Sequence, residues 1–123
     1  MGNIFINHTN HCSSYWSEDE RRAAQVFGEI VDVAFPAVSS SASEEEIEKL
    51  AHDNAVRIIA QKPAAVLCQG EYTYTYALVK RLLAQGICVV AACSERVVEE
   101  QHEPDGSTRR ISQFRFTRFR RYG

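Results

Sequence analysis

The sequence has 123 residues, which is enough for one domain with its own hydrophobic core and too few for two. Its 45% hydrophobic and 24% charged residues and its net charge of −2 are typical of a globular protein. The longest apolar run, residues 87–93, is far shorter than the roughly 18 residues of a membrane span. The first residues lack the basic and apolar pattern of a secretion signal. We therefore expect one cytoplasmic domain, residues 1–123.

The charged residues and the cysteines are unevenly distributed. Residues 108–123 contain six arginines and no acidic residue. This segment is either a solvated strand face or a contact surface for a phosphate or an acidic partner. The four cysteines form no C-x-x-C pair, and three of them lie in apolar stretches. We therefore expect free thiols and no disulfide framework.

The first part of the chain predicts two strands separated by a helix. Residues 3–7 are β-prone and form the first strand. Ser17 and Glu20 have the spacing of a capping box at the start of a helix, and Gly28 ends that helix. Residues 29–35 alternate in polarity and predict the second strand.

The middle of the chain predicts a second helix and a third strand. Ser43 and Glu46 repeat the capping box, and apolar residues at helical spacing continue the helix to Ile59. Residues 64–68 are an apolar run of strand length. Such a run is typical of a parallel strand that is covered on both faces.

The last part of the chain predicts a third helix and further strands. The helix has Tyr76 on its core face and ends at Gly86, and residues 87–93 form a fourth strand. Residues 97–116 predict a separate hairpin around the turn Pro104-Asp105-Gly106. This order, β-α-β-α-β-α-β followed by β-β, indicates a three-layer α/β sandwich with a parallel central sheet and a C-terminal antiparallel hairpin at its edge.

Polar segments follow three of the predicted parallel strands. They are residues 8–14, 69–73 and 94–96. Ligands of open α/β sheets bind at the carboxyl ends of the parallel strands, which lie at one edge of the sheet. We therefore expect the three segments to converge on one crevice and to form a ligand site.

The segment after the third strand has the features of an anion site. Gly70 permits close approach of the backbone, and Thr73 lies near a helix N-terminus whose N–H groups attract phosphate. The alternative for Gly70 is an ordinary strand-to-helix turn. The negative charge of Glu71 would repel a bound phosphate. Its other possible roles are to cap the helix, to orient a ribose hydroxyl or to act as a base.

The segment after the first strand contains two histidines. A zinc site needs three or four ligands, and beyond His8, His11 and Cys12 this segment offers only hydroxyls and amides, so we expect no metal. His11 is the better catalytic candidate because histidine exchanges protons near neutral pH. Its alternative is an exposed histidine without a role. Neutral hydrogen-bonding groups surround it at Thr9, Asn10 and Ser13.

Arg96 is the candidate phosphate ligand after the fourth strand. A guanidinium group binds two phosphate oxygens at once, and Arg96 directly follows a predicted parallel strand. The alternative is a salt bridge from Arg96 to Glu95 or Glu71.

Several aromatic residues lie close to these segments. Tyr72 or Tyr74 can stack on a base, whereas we expect Tyr76 in the core. Trp16 precedes a capping residue and is predicted to be a hydrophobic staple, not a ligand platform.

The polar segments together resemble those of a known family. Residues 7–11, the turn Gln69-Gly70-Glu71 and the segment Ser94-Glu95-Arg96 look like those of short stand-alone CRISPR-ancillary proteins. Those proteins are related to the CARF domains, which bind cyclic oligoadenylate. The resemblance covers roughly residues 2–120. It implies a single Rossmann-like domain that forms a homodimer around a cyclic tetra- or hexa-adenylate and needs no cofactor.

Some members of that family are ring nucleases of type III CRISPR antiviral signalling. They direct a ribose 2′-oxygen at the adjacent phosphorus without a metal and leave linear products with a 2′,3′-cyclic phosphate. The resemblance implies His11 as the acid, with Arg96 near the scissile phosphate, and Glu71 or His8 as the base. It implies ligand contacts from Thr9, Asn10, Ser13, Gln69, Gly70, Thr73 and Ser94.

Other functions fit the same residues. The chain can bind a cyclic nucleotide without turning it over. A small enzyme acting on nucleosides or nucleotides would use Glu71 as a covalent nucleophile. An interaction subunit would pair through its edge hairpin and bind RNA or DNA in a salt-dependent way. Because no second domain is expected, degradation or binding of the messenger is favoured over signal transduction, and a long nucleic acid is not the expected partner.

Overall fold

A computed structural model describes residues 2–123 of the chain. These residues form a mixed α/β fold with a five-stranded sheet and three α-helices. The elements in chain order are β1 (Ile4–Thr9), α1 (Glu18–Gln25), β2 (Glu29–Asp32), α2 (Glu44–Ala60), β3 (Ala65–Gln69), α3 (Tyr72–Ala84), β4 (Val89–His102) and β5 (Thr108–Arg121). A 3-10 turn, Ser13–Tyr15, lies between β1 and α1. None of the helices in this part of the chain is long and apolar enough to cross a membrane.

The strands lie in the order β2-β1-β3-β4-β5. The pairs β1–β2, β1–β3 and β3–β4 are parallel, and β5 runs antiparallel to β4 at the edge of the sheet. The predicted mixed α/β class, with parallel strands and an antiparallel pair at the C-terminal edge, is confirmed. Because β1, β2, β3 and β4 are parallel, their carboxyl ends all lie at the same end of the sheet.

The prediction of a fourth strand followed by a separate hairpin is wrong. The two predicted pieces form one strand of 14 residues, β4, which pairs with β5 along its length. A bulge between Cys93 and Ser94 absorbs one extra residue of β5 and lets the pairing continue. Ser94-Glu95-Arg96 therefore lies within β4 and is not a loop after it.

Alternate strand residues divide the core into two clusters. Ile6 and Val66 belong to a cluster that also contains buried residues of α2 and α3. Phe5 and Leu67 belong to a second cluster, which contains Ala24 of α1. Because side chains alternate along a strand, each of these strands contributes to both clusters.

The helix starts agree with the predicted caps, but the core face of α3 does not agree with the prediction. Ser17 accepts a hydrogen bond from the Glu20 backbone N–H, and Ser43 with Glu46 forms a complete capping box. The prediction that Tyr76 is a core residue is wrong, because its side chain is 70% exposed. Tyr74 is the buried tyrosine, since α3 begins at Tyr72 and its core face repeats every three to four residues from Tyr74.

The register of α2 can be tested with two neighbouring residues. Ile58 is fully buried in the core, whereas Val56 is 54% exposed on the same helix. We expect Ile58→Ala to lower the free energy of unfolding by about 2–5 kcal/mol, because it leaves a cavity. Val56→Ala should change it by less than about 0.5 kcal/mol. Urea unfolding of both variants measures the difference, and equal losses would show that the helix face is misassigned.

Candidate functional site

A pocket of about 660 Å³ opens at the carboxyl ends of β1 and β3. We call it the carboxyl-end pocket. Its walls come from the segment after β1, the start of α1, the end of β3 and the β4–β5 hairpin, and its lining includes Thr9, His11, Tyr15, Trp16, Asp19, Glu20, Gln69, Ser94, Phe114 and Arg115. The pocket thus lies where open α/β sheets bind their ligands.

Strand alternation explains which predicted residues reach this pocket. Thr9 and Gln69 are directly opposite each other in the β1–β3 register. Ala92 and Ser94 of β4 also line the pocket and belong to the face of the sheet that α1 covers. Four of the residues predicted from the sequence therefore converge here: Thr9, His11, Gln69 and Ser94.

Gln69 has a structural role as well as its place in the pocket. The backbone pairing between β3 and β4 ends at Leu67 and Val90, before Gln69. The Gln69 side chain makes the next contact between the two strands. Its Oε1 accepts a hydrogen bond from the Ala92 backbone N–H at 2.8 Å. The side chain therefore joins β3 to β4 at the point where the backbone pairing ends.

Asp32, at the carboxyl end of β2, organises the segment after β1. Its carboxylate accepts hydrogen bonds from Asn7 Nδ2 at 2.8 Å and from the Ser13 hydroxyl at 2.9 Å. The Ser13 backbone N–H and the Cys12 thiol also donate to it, at 3.2 and 3.4 Å. Partial burial raises the pKa of Asp32, but the hydrogen bonds from Asn7, Ser13 and Cys12 outweigh that effect and lower its pKa below the ordinary value.

The same network fixes the backbone at His11. Asn7 Nδ2 donates to the His11 carbonyl oxygen at 2.8 Å, and the Thr9 hydroxyl donates to that oxygen at 3.1 Å. Sequence reasoning missed Asp32 because the second strand was predicted to run to Phe35, which placed Asp32 inside it. An acidic residue within an otherwise apolar strand segment is the sequence feature that could have indicated that β2 ends at Asp32.

Two predicted ligand residues from this segment lie outside the pocket lining. Ser13 is buried, and its hydroxyl donates to Asp32. Asn10 is exposed in the turn after β1. The segment therefore offers the pocket Thr9 and His11, while Ser13 holds the segment in place.

His11 and Glu20 both lie in the pocket wall. His11 is exposed, and Glu20 of α1 is half-buried. Burial raises the pKa of Glu20, and the nearby charge of His11 partly opposes that rise. A carboxylate with a raised pKa is a better proton acceptor than an ordinary one, which makes Glu20 a candidate base in the pocket wall.

His8, predicted as a site residue, lies in the core instead. Its ring is fully buried on the face covered by α2 and α3, between Phe35 and Tyr74. Nδ1 lies 2.9 Å from the Val33 carbonyl oxygen, to which it must donate, so Nε2 accepts from the Tyr74 hydroxyl at 2.7 Å. The structure therefore does not place His8 in the pocket, because β1 is longer than predicted and includes it.

The turn after β3 does not offer an open anion site. Glu71 is the N-cap of α3, and its Oε1 accepts hydrogen bonds from the Tyr74 backbone N–H and the Thr73 hydroxyl, at 2.8 and 2.7 Å. These hydrogen bonds lower the pKa of Glu71, and the bond from the Tyr74 backbone N–H has the largest effect. A carboxylate of the chain itself therefore occupies the helix N-terminus. Glu71 is thus a helix cap, which was one of its predicted alternatives.

Gly70 is required for packing. A Cβ atom at this position would lie 2.3 Å from the Phe35 ring, and its backbone has no positive φ angle. Phe35 packs against His8 and Tyr74, so a side chain at position 70 would push on the buried core. The sequence predicts that Gly70 lets the backbone approach a phosphate. In the structure, the group that lies close to the Gly70 backbone is the Phe35 ring.

Arg96 lies outside the carboxyl-end pocket. It is an exposed residue of β4, and its Nε donates to the Ser112 hydroxyl on β5 at 2.6 Å. A separate groove of about 370 Å³ contains Arg96, Val98, Arg110 and Ser112. Arg96 therefore does not reach the pocket to contact a phosphate there, because β4 continues through the segment that was predicted to be a loop. Arg115, from the arginine-rich segment, lines the pocket instead.

The aromatic residues at the pocket differ from those predicted to stack. Trp16 packs against Phe5 and Phe119, with ring centroids 6.3 and 6.4 Å away, as expected of a staple, and it also lines the pocket. Tyr15 is 87% exposed at the same pocket. Tyr72 lines a different pocket, beside α2, and Tyr74 is buried. Across residues 2–123, no three His, Cys, Asp or Glu side chains are grouped to hold a metal ion.

Comparison with known proteins gives a family but no described relative. The model of the uncharacterized protein MJ1673 family matches residues 3–120. Searches of curated proteins and of solved structures gave no match. The family description states no activity, ligand or partner.

Burial of His8 predicts a pH dependence of stability. Burial lowers the pKa of His8 below its ordinary value of 6.5, against the opposing effect of the Val33 hydrogen bond. The unfolded chain therefore binds this proton more readily, and stability is lost as the pH falls below about 6.5, with a slope of at most about 1.4 kcal/mol per pH unit. Urea unfolding between about pH 7.5 and 5.5 measures it. His8→Gln should lack this part of the slope, and an unchanged slope would contradict the assignment.

The role of Asp32 can be tested by replacing its charge. Asp32→Asn keeps the shape but removes an acceptor for the Ser13 and Cys12 donors, so we expect a loss of about 1–2 kcal/mol in the free energy of unfolding. Glu29→Gln is the matched control, because Glu29 is exposed at the other end of β2. Chemical unfolding at neutral pH compares the two. Equal stabilities would show that the Asp32 network does not hold the segment after β1.

Proposed function

The chain belongs to the uncharacterized protein MJ1673 family, and we propose that it binds a cyclic oligoadenylate of CRISPR antiviral signalling in the carboxyl-end pocket and cleaves it without a metal ion. One observation carries the proposal. Polar residues from separate predicted segments, Thr9, Gln69 and Ser94, meet His11 in a pocket with aromatic walls at the carboxyl ends of parallel strands. This is the place where α/β sheets bind nucleotides.

The proposal includes a Rossmann-like, three-layer arrangement of the fold. The two core clusters support it, because one contains residues of α2 and α3 and the other contains a residue of α1. The parallel order of the first four strands also supports it. Such an arrangement is what the resemblance to the CARF-related proteins implies.

The chemistry of the pocket fits the parts of an adenine nucleotide. The rings of Trp16 and Tyr15 offer faces on which bases stack. The carboxylate of Asp19 accepts hydrogen bonds from exocyclic amino groups, and Arg115 favours phosphate. The proposal further includes a homodimer, which is supported by the exposed apolar rings of Tyr15 and Phe114 at the pocket.

The proposed cleavage uses His11 and Glu20. Glu20 removes the proton of a ribose 2′-hydroxyl, and the 2′-oxygen forms a bond to the adjacent phosphorus. The bond from phosphorus to the 5′-oxygen breaks, and His11 donates the proton that this oxygen takes up. The products are linear and end in a 2′,3′-cyclic phosphate. Glu20 replaces Glu71 and His8 as the proposed base, because neither of those lines the pocket.

A second candidate is binding of the same ring without turnover. It is favoured by the positions of three residues that the resemblance implies for catalysis. His8 is buried, Glu71 caps α3, and Arg96 bonds to Ser112 outside the pocket. In this function the pocket sequesters the messenger, and His11 only contributes to its wall.

Incubation with cyclic tri-, tetra- and hexa-adenylate in EDTA distinguishes the two functions. Ring nuclease activity predicts loss of one ring and appearance of linear products with a 2′,3′-cyclic phosphate, resolved by chromatography and mass spectrometry. His11→Gln should then slow cleavage by about 100-fold or more and leave binding nearly unchanged. His52→Gln, at an exposed position of α2, is the matched control.

The remaining outcomes separate the candidates further. A ring that survives but binds tightly in a shift assay supports sequestration and removes the catalytic roles of His11 and Glu20. Absence of binding by all three rings at high protein concentration would overturn the proposed function.

A further inference from the structure

We propose that Gln69 determines the polarity of the ligand group that enters the carboxyl-end pocket. Its amide is held so that only N–H donors are free for a ligand, and the pocket therefore selects a hydrogen-bond acceptor at this position. The inference rests on the proposed function for the identity of the ligand. The orientation of the amide is a property of the chain alone.

The orientation follows from the partner of the amide oxygen. Oε1 of Gln69 accepts the Ala92 backbone N–H at 2.8 Å. A backbone N–H is only a donor, so the oxygen and not the nitrogen of the amide must face it. The usual ambiguity between the two ends of a glutamine amide is removed here by chemistry.

The bond to Ala92 is also difficult to give up. The backbone pairing between β3 and β4 ends at Leu67 and Val90. Ala92 lies beyond that pairing, and the Gln69 side chain supplies the acceptor for its N–H. Rotating the amide would leave the Ala92 N–H facing an N–H group, which is unfavourable.

The amide nitrogen of Gln69 is therefore the end that is free for a ligand. Among residues 2–123, no acceptor bonds to this Nε2, and Gln69 lines the pocket. Thr9, directly opposite on β1, has no comparable freedom. Its single O–H proton is shared between Asn7 Oδ1 and the His11 carbonyl oxygen, and its oxygen accepts the His11 N–H. Of Thr9 and Gln69, only Gln69 therefore has a hydrogen-bond donor that is free for a ligand.

The acceptor on a cyclic oligoadenylate can be a ring nitrogen of the base or a non-bridging phosphate oxygen. Both are hydrogen-bond acceptors, so the chemistry that Gln69 selects is the same. They differ in charge. A contact with phosphate responds to salt, and a contact with a neutral ring nitrogen does not.

The variant Gln69→Glu isolates this property. A carboxylate keeps an oxygen for the Ala92 N–H but presents an acceptor to the pocket in place of a donor. We expect unchanged thermal unfolding and unchanged protection of the Ala92 amide in hydrogen exchange, with ring affinity lowered about tenfold or more. Gln113→Glu is the matched control, because Gln113 is an exposed residue that lines the same pocket and gains the same charge. Its loss of ring affinity measures the effect of the added charge alone, and the loss in Gln69→Glu should be clearly larger.

Titration of the ¹⁵N-labelled chain with cyclic tetra- and hexa-adenylate, AMP and inorganic phosphate supplies the second readout. Binding should shift the Gln69 side-chain amide signals. A loss of affinity in Gln69→Glu that shrinks at high salt assigns the acceptor to phosphate, and a loss that persists assigns it to the base.

Failure of the inference differs from failure of the proposed function. A ring that binds Gln69→Glu as tightly as Gln113→Glu overturns the inference and leaves the proposed function intact. If none of the three rings binds in the shift assay but AMP or phosphate shifts the Gln69 amide signals, the proposed function fails and the inference stands. If a ring binds in the shift assay and none of the four probes shifts those signals, the inference is overturned and the proposed function stands.

Discussion

The interior position of β1, between β2 and β3 in the sheet, is the constraint on which the site depends. β1 pairs with β2 on one side and β3 on the other, and helices cover both of its faces, so polar side chains there must find partners within the chain. Strand alternation sends His8 to the face of α2 and α3, where the Val33 carbonyl and the Tyr74 hydroxyl bind it. The same alternation sends Asn7 to the other face, where it bonds to Asp32 and to the segment that carries His11.

The pocket is built from residues that also hold the sheet together. Asn7 and Asp32 hold the segment after β1, and Gln69 joins β3 to β4 where their backbone pairing ends. Trp16 is partly buried and packs against the core cluster that includes Phe5. Polar and aromatic groups that are fixed in this way lose little freedom when a ligand binds, which lowers the entropic cost of binding. The pocket is therefore preorganised by the same contacts that stabilise the fold.

Local sequence patterns were sufficient for most of the fold. The apolar spacing and capping boxes predict α1 and α2, and the apolar run of β3 predicts a buried strand, because these signals depend on neighbours in the chain. The errors at β1 and β4 share one cause, which is that polar residues within a strand look like its end. His8 continues β1 and Ser94 continues β4, because their partners, Tyr74 and β5, are distant in sequence.

The same reasoning separates the predicted site residues that reach the pocket from those that do not. Thr9, Gln69 and Ser94 reach it because alternation places them on the face that α1 covers. Glu20 and Asp32 were missed, since their importance comes from His11 and Ser13, which approach them only in the folded chain. For the proposed ring, Coulomb's law favours phosphates near Arg115 and away from the carboxylate of Asp19. Turnover of that ring also requires one phosphate to lie beside His11.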